Sequence, residues 1–361
     1  MKRETMIKTI GVFVALYLFL VGIKGMGASF KLMGEGFAEA LLISTSNPLT
    51  ALFIGILATT LVQSSSTTTS IIVGLVAAGG ISVSGAVPMV MGANIGTTVT
   101  NTIVAIGHIR HGQEFRRAFA ASTVHDFFNL IAVLILFPIE YFTGILSKSA
   151  IVIANLFDSV GGLKLANPLK TIIDPAVHLL QQLVFDNPIV FLIVSILLTF
   201  LMLWSIVKIL RSLVLEKVEV FFDKYIFKTG IRAMTFGMIL TVFVQSSSVT
   251  TSIVIPLVGA GVLRLMQVYP YTLGSNIGTT VTAMLAALST GNIHAVTVSF
   301  AHLFFNIFGI LIIYPMPGLK KIPPMLAKSA AKFAQQNKII PISYIIFLFY
   351  LLPLIVIFLG R

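Results

Sequence analysis

The sequence predicts an all-helical protein that crosses a membrane several times and consists of two repeats of opposite orientation. The first observation is composition: 57% of the 361 residues are hydrophobic and only 10% are charged, with a mean hydropathy of +1.02. The second is that several segments reach the roughly 20 apolar residues that a membrane-crossing helix needs. The third is that two polar motifs occur twice, 182 residues apart: QSSS begins at Gln63 and Gln245, and NIGTT at Asn94 and Asn276.

The first repeat starts with a predicted helix over residues 7–23. The basic residues Lys2, Arg3 and Lys8 accompany its start, so the positive-inside rule places the N-terminus in the cytoplasm. Because no A-x-A-like cleavage site follows, we expect the helix to be retained and not removed as a signal peptide. Residues 24–46 balance two lysines with two glutamates and predict an interfacial helix.

Two short apolar arms around a polar tip follow. Residues 48–63 are apolar but short, residues 64–69 form the tip, and a second short arm ends at Gly79 and Gly80. This pattern predicts a re-entrant hairpin or a broken helix instead of two full membrane spans. Pro88 interrupts the next apolar piece, and the NIGTT motif behind it predicts a second break.

The rest of the first repeat is a basic loop, a polar helix and an external segment. Residues 108–117 contain three arginines and one glutamate, which is typical of a cytoplasmic loop. A helix over residues 118–137 should then cross outward with the VHDFFN motif, including His125 and Asp126. Residues 140–187 carry three lysines and four acids and predict an external, weakly amphipathic region.

The second repeat has the opposite pattern of loop charge. After a helix over residues 188–207, basic residues dominate 208–232, whereas residues 289–295 carry no charge and 318–337 have four lysines and no acid. Each loop that is basic in one repeat is neutral in the other, which predicts inverted repeats. A last helix over residues 341–359 places the C-terminus outside. We therefore expect a first repeat (1–147), an external connecting segment (148–187), a second repeat (188–340) and a C-terminal transmembrane helix (341–361).

Composition excludes several classes of function. The chain contains no cysteine, which excludes disulfides, thiol chemistry and cysteine-based metal sites. Its formal net charge of +12 lies mainly at the ends of apolar segments, where the positive-inside rule expects it. We therefore predict the lipid bilayer and no nucleic acid as a partner, and interpret Arg116 and Arg117 as cytoplasmic anchors. The expected location is the cell (inner) membrane.

The duplicated polar motifs indicate a binding site. A lone serine triplet inside a membrane more often serves helix packing, but packing does not require the same glutamine before both triplets and the same NIGTT motif after both. A broken helix presents unpaired N–H groups at the positive end of its dipole, which together with serine hydroxyls suits an oxyanion. Free carbonyls, threonine hydroxyls and amide oxygens suit a hard cation such as sodium. The residues predict an anion site with neighbouring cation sites and do not identify the anion.

The VHDFFN motif adds an unmatched acid. Asp126 lies within a predicted membrane helix, where an ionisable residue indicates function by default; the alternative is a carboxyl group that is buried and protonated or paired with arginine. The corresponding motif of the second repeat, HLFFN, lies 177 residues further on and has Leu303 at that position. Such a site binds a cation on one side only. His125 and His302 are interpreted as structural hydrogen-bonding residues and not as ligands.

An enzyme with a catalytic triad is disfavoured. A serine of either triplet would need His125 and Asp126, but adjacent residues of a helix point about 100° apart. The acid therefore cannot easily orient the far nitrogen of the imidazole as a triad requires. We predict that the chain is not an enzyme and uses no cofactor.

Longer segments around these motifs resemble one known family. QSSS-x-TTS occurs twice, PMVMGANIGTTVTNTIVA and EFRRAFAASTVHDFFN occur in the first repeat, and YPYTLGSNIGTTVTAMLAAL occurs in the second. Over about residues 10–358 the chain resembles the type II sodium-dependent phosphate cotransporters, here a bacterial member. The resemblance implies symport of inorganic phosphate, in its divalent form, with sodium as the coupling ion and alternating access as the mechanism. The position of Asp126 implies electrogenic transport.

The resemblance also implies which residues hold each ion. The two QSSS tips would meet around phosphate, and the NIGTT and VHDFFN motifs would hold sodium. The phosphate-binding candidates are Gln63, Ser64, Ser65, Ser66, Thr67, Gln245, Ser246, Ser247 and Ser248. The cation-binding candidates are Asn94, Thr97, Thr98, Thr100, Asp126, Asn129, Ser275, Asn276, Thr279, Thr280 and Thr282.

The chain also departs from the family pattern. The animal members have a large disulfide-bonded external loop and a further C-terminal helix, which we expect this chain to lack. His108 and His111 stand where the family commonly has Gln and Asp; with Asn306 they are further candidate site residues, and histidine chemistry would admit a proton contribution. Two other functions stay open: a passive phosphate channel or exporter, and a phosphate sensor that does not transport.

Overall fold

A computed structural model describes residues 3–33, 42–43, 45–110, 112–218 and 226–360. Every regular element in these ranges is a helix, which confirms the predicted all-helical class. The predicted interfacial helix lies partly outside the described residues, and His111 lies wholly outside them. The helices are α1 (Arg3–Met33), α2 (Pro48–Val62), α3 (Ser65–Ala77), α4 (Val83–Gly96), α5 (Val99–Ile106), α6 (Gly112–Thr143), α7 (Ile145–Ser159), α8 (Gly162–Leu183), α9 (Pro188–Val218), α10 (Gly230–Val244), α11 (Ser247–Gly259), α12 (Leu265–Thr290), α13 (Ile293–Ile313), α14 (Pro317–Gln336), α15 (Ile339–Ile346) and α16 (Leu352–Leu359).

Six helical segments in the described part of the chain are long and apolar enough to cross a membrane. This confirms a multi-pass membrane protein. The six are α1, α4 together with α5, α6, α9, α13 and the C-terminal pair α15–α16. A π-helical turn, Phe347–Leu351, joins the C-terminal pair.

Three predicted boundaries are wrong because the helices extend beyond their apolar cores. α1 continues to Met33, so its last turns replace the start of the predicted interfacial helix. α6 begins at Gly112 and takes in most of the predicted loop 108–117, and α9 runs on to Val218. Lysine and arginine are good helix formers whose charged ends extend toward water. Hydropathy therefore marks the apolar part of a helix and not its end.

Each half of the chain contains a pair of short helices around its QSSS tip, as predicted. The helices α2 and α3 have 15 and 13 residues, and α10 and α11 have the same lengths. Between them the chain turns at Gln63 and Gln245, which both adopt the left-handed conformation with φ of 57°. A left-handed residue cannot continue a right-handed helix. The glutamine therefore ends the first helix of each pair, and Ser64 or Ser246 begins the next as its N-cap.

The second break, predicted at residues 94–98, is present and short. α4 continues through the asparagine of NIGTT to Gly96, and Thr97 and Thr98 separate it from α5, which begins at Val99. The corresponding helix α12 is unbroken. Asn94 Nδ2 donates to the Val90 carbonyl oxygen over 2.9 Å, and such bonds to the preceding turn satisfy a polar side chain inside a helix. A polar motif within an apolar segment is therefore not sufficient to break it.

Glycines let each hairpin lie directly against the next long helix. A Cβ atom on Gly92 would lie 2.0 Å from the Leu52 carbonyl oxygen, and one on Gly274 would lie 1.8 Å from that of Met234. The contacts α2–α4 and α10–α12 are thus backbone to backbone, as small residues allow in membranes. The two halves place these helices in the same way.

The halves are packed into each other. α1 lies along α9, so the first helices of the two halves are in contact. α11 contacts α5 and α6, and α3 contacts α12 and α13. The second helix of each hairpin is therefore enclosed by the other half, which brings the two QSSS tips together. The C-terminal helices α15 and α16 contact α5 and α2, respectively.

Candidate functional site

The two QSSS tips are held by the same hydrogen bonds. Gln63 Oε1 accepts from the Thr100 hydroxyl over 2.8 Å, and Gln245 Oε1 accepts from the Thr282 hydroxyl over 2.7 Å. The left-handed conformation costs a residue other than glycine about 1–2 kcal/mol. Strained residues that surrounding contacts hold in place are typical of functional sites. The two threonines thus position the two glutamines.

A capped helix N-terminus follows each glutamine. Ser64 Oγ accepts from the Thr67 N–H group over 3.2 Å, and the corresponding bond of Ser246 is 3.3 Å. The first turns of α3 and α11 retain further N–H groups without helical partners, at the positive end of the helix dipole. Ser66 Oγ donates to the Gln245 carbonyl oxygen over 3.4 Å, so the tips are in contact. Two such helix ends and their hydroxyls can together surround an anion.

A cavity of about 990 Å³ lies beside the tips. One wall is polar and includes Thr100 and the serines, and the opposite wall includes Phe200 and Trp204 of α9. This space is larger than one inorganic oxyanion needs and lies at the upper end of the range for ligand pockets, roughly 300–1,000 Å³. It is therefore a vestibule that leads to the tips.

The structure brings the predicted anion-binding residues together. Five of the nine line the vestibule, and they are Gln63, Ser64, Thr67, Ser246 and Ser248. The other four lie directly behind this wall: Ser65, Ser66 and Ser247 are buried in the first turns of α3 and α11, and Gln245 contacts Ser66.

A chain of buried hydrogen bonds joins the two halves. His125 Nε2 donates to Asn276 Oδ1 over 2.6 Å, Asn276 Nδ2 to Asn129 Oδ1 over 2.9 Å, and Asn129 Nδ2 to the Asn94 carbonyl oxygen over 2.9 Å. All four residues are at most 3% exposed. Buried polar side chains that satisfy one another fix the positions of the helices that carry them, here α4, α6 and α12. His125 has the hydrogen-bonding role predicted for it.

The corresponding residues of the other half make only part of this chain. Asn306 Nδ2 donates to the Asn276 carbonyl oxygen over 3.4 Å, as Asn129 Nδ2 does to that of Asn94. His302, the counterpart of His125, has no hydrogen-bond partner for either ring nitrogen among the described residues, and Asn306 Oδ1 has none either. The Asn94 amide, the counterpart of the Asn276 amide, bonds back to its own helix. The hydrogen-bonding role predicted for His302 is therefore not realised. The same set of side chains therefore occurs in two arrangements. The bond from an asparagine to a carbonyl occurs in both, whereas the histidine–asparagine and asparagine–asparagine side-chain bonds occur in one.

Asp126 is fully buried on α6, and a tyrosine hydroxyl holds its carboxyl group. The Tyr344 hydroxyl donates to Oδ2 over 2.9 Å. Oδ1 has no partner in the described ranges. The alternative of an ion pair between Asp126 and an arginine is not formed among the described residues. Arg117 Nε, for example, donates to the Gly259 carbonyl at the end of α11 over 2.7 Å.

The predicted cation-binding residues form three separate groups. Thr100 and Thr282 belong to the tips, the three asparagines form the buried chain, and Asp126 bonds Tyr344. The hydroxyls of the others bond carbonyls of the preceding helical turn, and these residues are Thr97, Thr98, Ser275, Thr279 and Thr280. His108 lies outside these groups and bonds Glu114 Oε1 over 2.7 Å.

Two contacting residues were not found from the sequence. Asn101 Oδ1 accepts from the hydroxyls of Thr251 over 3.0 Å and Ser252 over 3.1 Å, which joins α5 to α11. A comparison of the two repeats shows that Asp126 has no polar counterpart, and the same comparison would have found Asn101. The residue 182 positions after Asn101 is Ala283. Tyr344 lies outside both predicted repeats, so no counterpart marks it.

Comparisons with known proteins agree with these motifs. The sequence model of a family described as Na⁺/Pi-cotransporter matches residues 18–164 and 198–314. The chain is similar to sodium-dependent phosphate transport protein 2A of Ovis aries, with 35% identity over 94% of the chain and 65% of the relative. It is similar to transport protein 2B of Pongo abelii, with 34% identity over 94% of the chain and 63% of the relative. The chain thus spans just under two thirds of the length of these relatives. No solved structure matches it.

Proposed function

Because the chain belongs to the Na⁺/Pi-cotransporter family, we propose that it is a sodium-coupled symporter that carries inorganic phosphate into the cell. The family is one of cotransporters and not of enzymes. The observation that carries the proposal is the meeting of two capped helix N-termini at the QSSS tips. Six serine hydroxyls and the free N–H groups of two helices form an anion site that needs no fixed positive charge.

The tips suit divalent phosphate. Its oxygens accept hydrogen bonds, and the N–H groups and hydroxyls of Ser64 to Ser66 and Ser246 to Ser248 donate them. Each helix dipole places about half a positive charge at its N-terminus. Two such ends therefore favour a doubly charged anion over a singly charged one.

Asp126 and the buried asparagines supply oxygen atoms for sodium. Carboxylate and amide oxygens are ligands that hard cations prefer, and a buried acid in a membrane protein marks an ion pathway. The second repeat has Leu303 at this position. A single unmatched acid supports transport that moves net charge, so we expect electrogenic uptake.

The two arrangements of the histidine and asparagine side chains support alternating access. In inverted repeats, the two facing states arise when the halves exchange their conformations around a fixed site. Here His125 and Asn276 are connected, whereas His302 and Asn94 are not. We propose that the other facing state connects the second pair and opens the first. The charge pattern of the loops supports an inner-membrane orientation with a cytoplasmic N-terminus and an external C-terminus.

The test is uptake of labelled phosphate into proteoliposomes that contain the purified chain. An inward sodium gradient should drive accumulation above equilibrium, and an inside-negative potential should increase its rate. Ser247→Ala should lower uptake to the background of empty liposomes. Ser289→Ala is the matched control, because Ser289 is buried on α12 and its hydroxyl bonds only the Ala286 carbonyl of its own helix.

Other outcomes would replace the proposal. Uptake that stops at equilibrium and ignores the sodium gradient would indicate a channel, and accumulation driven by a pH gradient alone would overturn sodium coupling. Phosphate binding without any uptake would indicate a sensor. Normal uptake by the Ser247→Ala variant would contradict the placement of phosphate at the tips.

A further inference from the structure

The C-terminal helix reaches the buried acid. Tyr344 on α15 donates its hydroxyl to Asp126 Oδ2 over 2.9 Å, across a sequence separation of 218 residues. The Asp126 side chain is fully buried. Its second oxygen, Oδ1, has no hydrogen-bond partner within the described ranges. A carboxyl group with one bound and one free oxygen is oriented and still able to bind a ligand.

Neither partner of this bond has a counterpart in the duplicated part of the chain. The position that corresponds to Asp126 is Leu303. Tyr344 belongs to a helix that follows both repeats, and this helix packs against the first half, with α15 on α5 and α16 on α2. The added helix and the added acid therefore meet on the same side of the molecule.

The backbone directly after Tyr344 departs from regular α-helix. Residues Phe347–Leu351 form a π-helical turn between α15 and α16. Single π-turns within helices occur frequently at functional sites because they redirect side chains. The ring of Phe349, which is fully buried, packs edge-on against the Tyr344 ring with the centroids 5.7 Å apart. The turn and this ring contact fix the direction of the tyrosine hydroxyl.

We propose that Tyr344 is a positioning residue for sodium at Asp126. The hydroxyl holds Oδ2, which leaves Oδ1 directed at the cation. This inference rests on the proposed function, which places sodium at this acid. Groups that orient a ligand in this way are typically worth 10–100-fold in cation affinity.

The test removes the hydroxyl and keeps the ring. Tyr344→Phe should raise the sodium concentration for half-maximal phosphate uptake by about 10-fold or more. The half-saturating phosphate concentration at saturating sodium should stay unchanged, because Tyr344 bonds Asp126 and is not among the residues that line the vestibule beside the tips. Tyr350→Phe is the matched control on the same C-terminal segment and should behave like the wild type. An unchanged sodium dependence in Tyr344→Phe would overturn the proposal.

A double-variant comparison separates positioning from a general structural effect. In an Asp126→Asn background, Tyr344→Phe should cause no further rise in the half-saturating sodium concentration, because the charged group it positions is gone. Equal effects in both backgrounds would refute a positioning role. Should the phenylalanine variant not fold, Tyr344→Met supplies a second variant without a hydroxyl, whose flexible side chain adapts to the space.

Thermal unfolding provides a readout that does not depend on transport. Sodium that binds the folded protein raises its melting temperature, and we expect this increase to need about 10-fold more sodium in Tyr344→Phe. If sodium drives no uptake in the wild type but stabilises it, and Tyr344→Phe weakens that stabilisation, the symporter proposal fails and the role of Tyr344 holds. If sodium stabilises the wild type and the variant equally, the role of Tyr344 fails whatever the uptake.

Discussion

The hydrogen bond between Thr282 and Gln245 offers a direct test of how the tips are held. Thr282→Val replaces the hydroxyl with a methyl group of similar size, and Gln245 Oε1 loses the donor that lies 2.7 Å away. Thr282 is buried, while Gln245 is partly exposed. The substitution therefore changes one hydrogen bond and little packing.

The expected magnitude follows from the burial of the bond and the strain of the backbone. An unsatisfied buried acceptor costs about 1–3 kcal/mol, and partial exposure of Gln245 places this case in the lower part, about 1–2 kcal/mol. Gln245 also keeps a left-handed conformation that is unfavourable by a similar amount. Without the bond, the tip relaxes from its binding conformation by this free energy. The half-saturating phosphate concentration should rise by about 5–30-fold.

The assay is labelled phosphate uptake at saturating sodium over a range of phosphate concentrations. Thr272→Val is the matched control, because Thr272 is buried on the same helix and its hydroxyl bonds only the Tyr269 carbonyl. Thr100→Val removes the equivalent bond at the other tip and should cause the same rise. A wild-type phosphate dependence in both Thr282→Val and Thr100→Val would refute the role given to the glutamines. An effect of only one of them would mean that one tip binds phosphate alone.

Two further predictions concern packing and the buried histidines. Gly274→Ala should abolish the yield of folded protein in size-exclusion chromatography, because its Cβ would lie 1.8 Å from the Met234 carbonyl oxygen. Gly318→Ala is the control and should resemble the wild type, because a Cβ there has nothing within 4 Å. A normal yield of folded Gly274→Ala would contradict the backbone-to-backbone packing. His125→Leu should lower the free energy of unfolding by about 1–3 kcal/mol, because it leaves the buried amide oxygen of Asn276 unpaired. His302→Leu should leave the free energy of unfolding unchanged or raise it, because neither ring nitrogen has a partner among the described residues. His302→Leu should nevertheless slow uptake. Equal loss of stability in both histidine variants would contradict the two arrangements.

The structural features that occur in both halves of the chain could be predicted from the sequence. The two QSSS tips were found as breaks because a polar run divides an apolar segment into pieces too short to cross, and both contain a left-handed glutamine. The break predicted at residues 94–98 narrows to Thr97 and Thr98. Asn94 stays helical because its side chain is satisfied within its own helix, and the corresponding helix α12 is unbroken.

The polar residues of the candidate site could be singled out from the sequence, but the hydrogen bonds between them could not. The asparagines and Asp126 were singled out as polar groups in apolar helices, yet the bond between Asn276 and Asn129 spans 147 residues and that between Tyr344 and Asp126 spans 218. Such pairs depend on how the two halves interlock. Loop charge predicts which side of the membrane a helix end lies on, and it does not predict which side chains face each other within it.

The contacts without a counterpart have a common consequence. A carrier must keep both facing states within a few kcal/mol of each other, and contacts that occur in both halves, such as the threonine–glutamine bonds, stabilise both states equally when the halves exchange conformations. Asn101, which bridges to α11, and Asp126, held by Tyr344, occur only once. In the proposed carrier, any preference of the empty protein for one facing state would therefore arise from unmatched contacts of this kind. Sodium bound at Asp126, as proposed, would change one of them and so couple sodium binding to the facing state without any change in the duplicated tips.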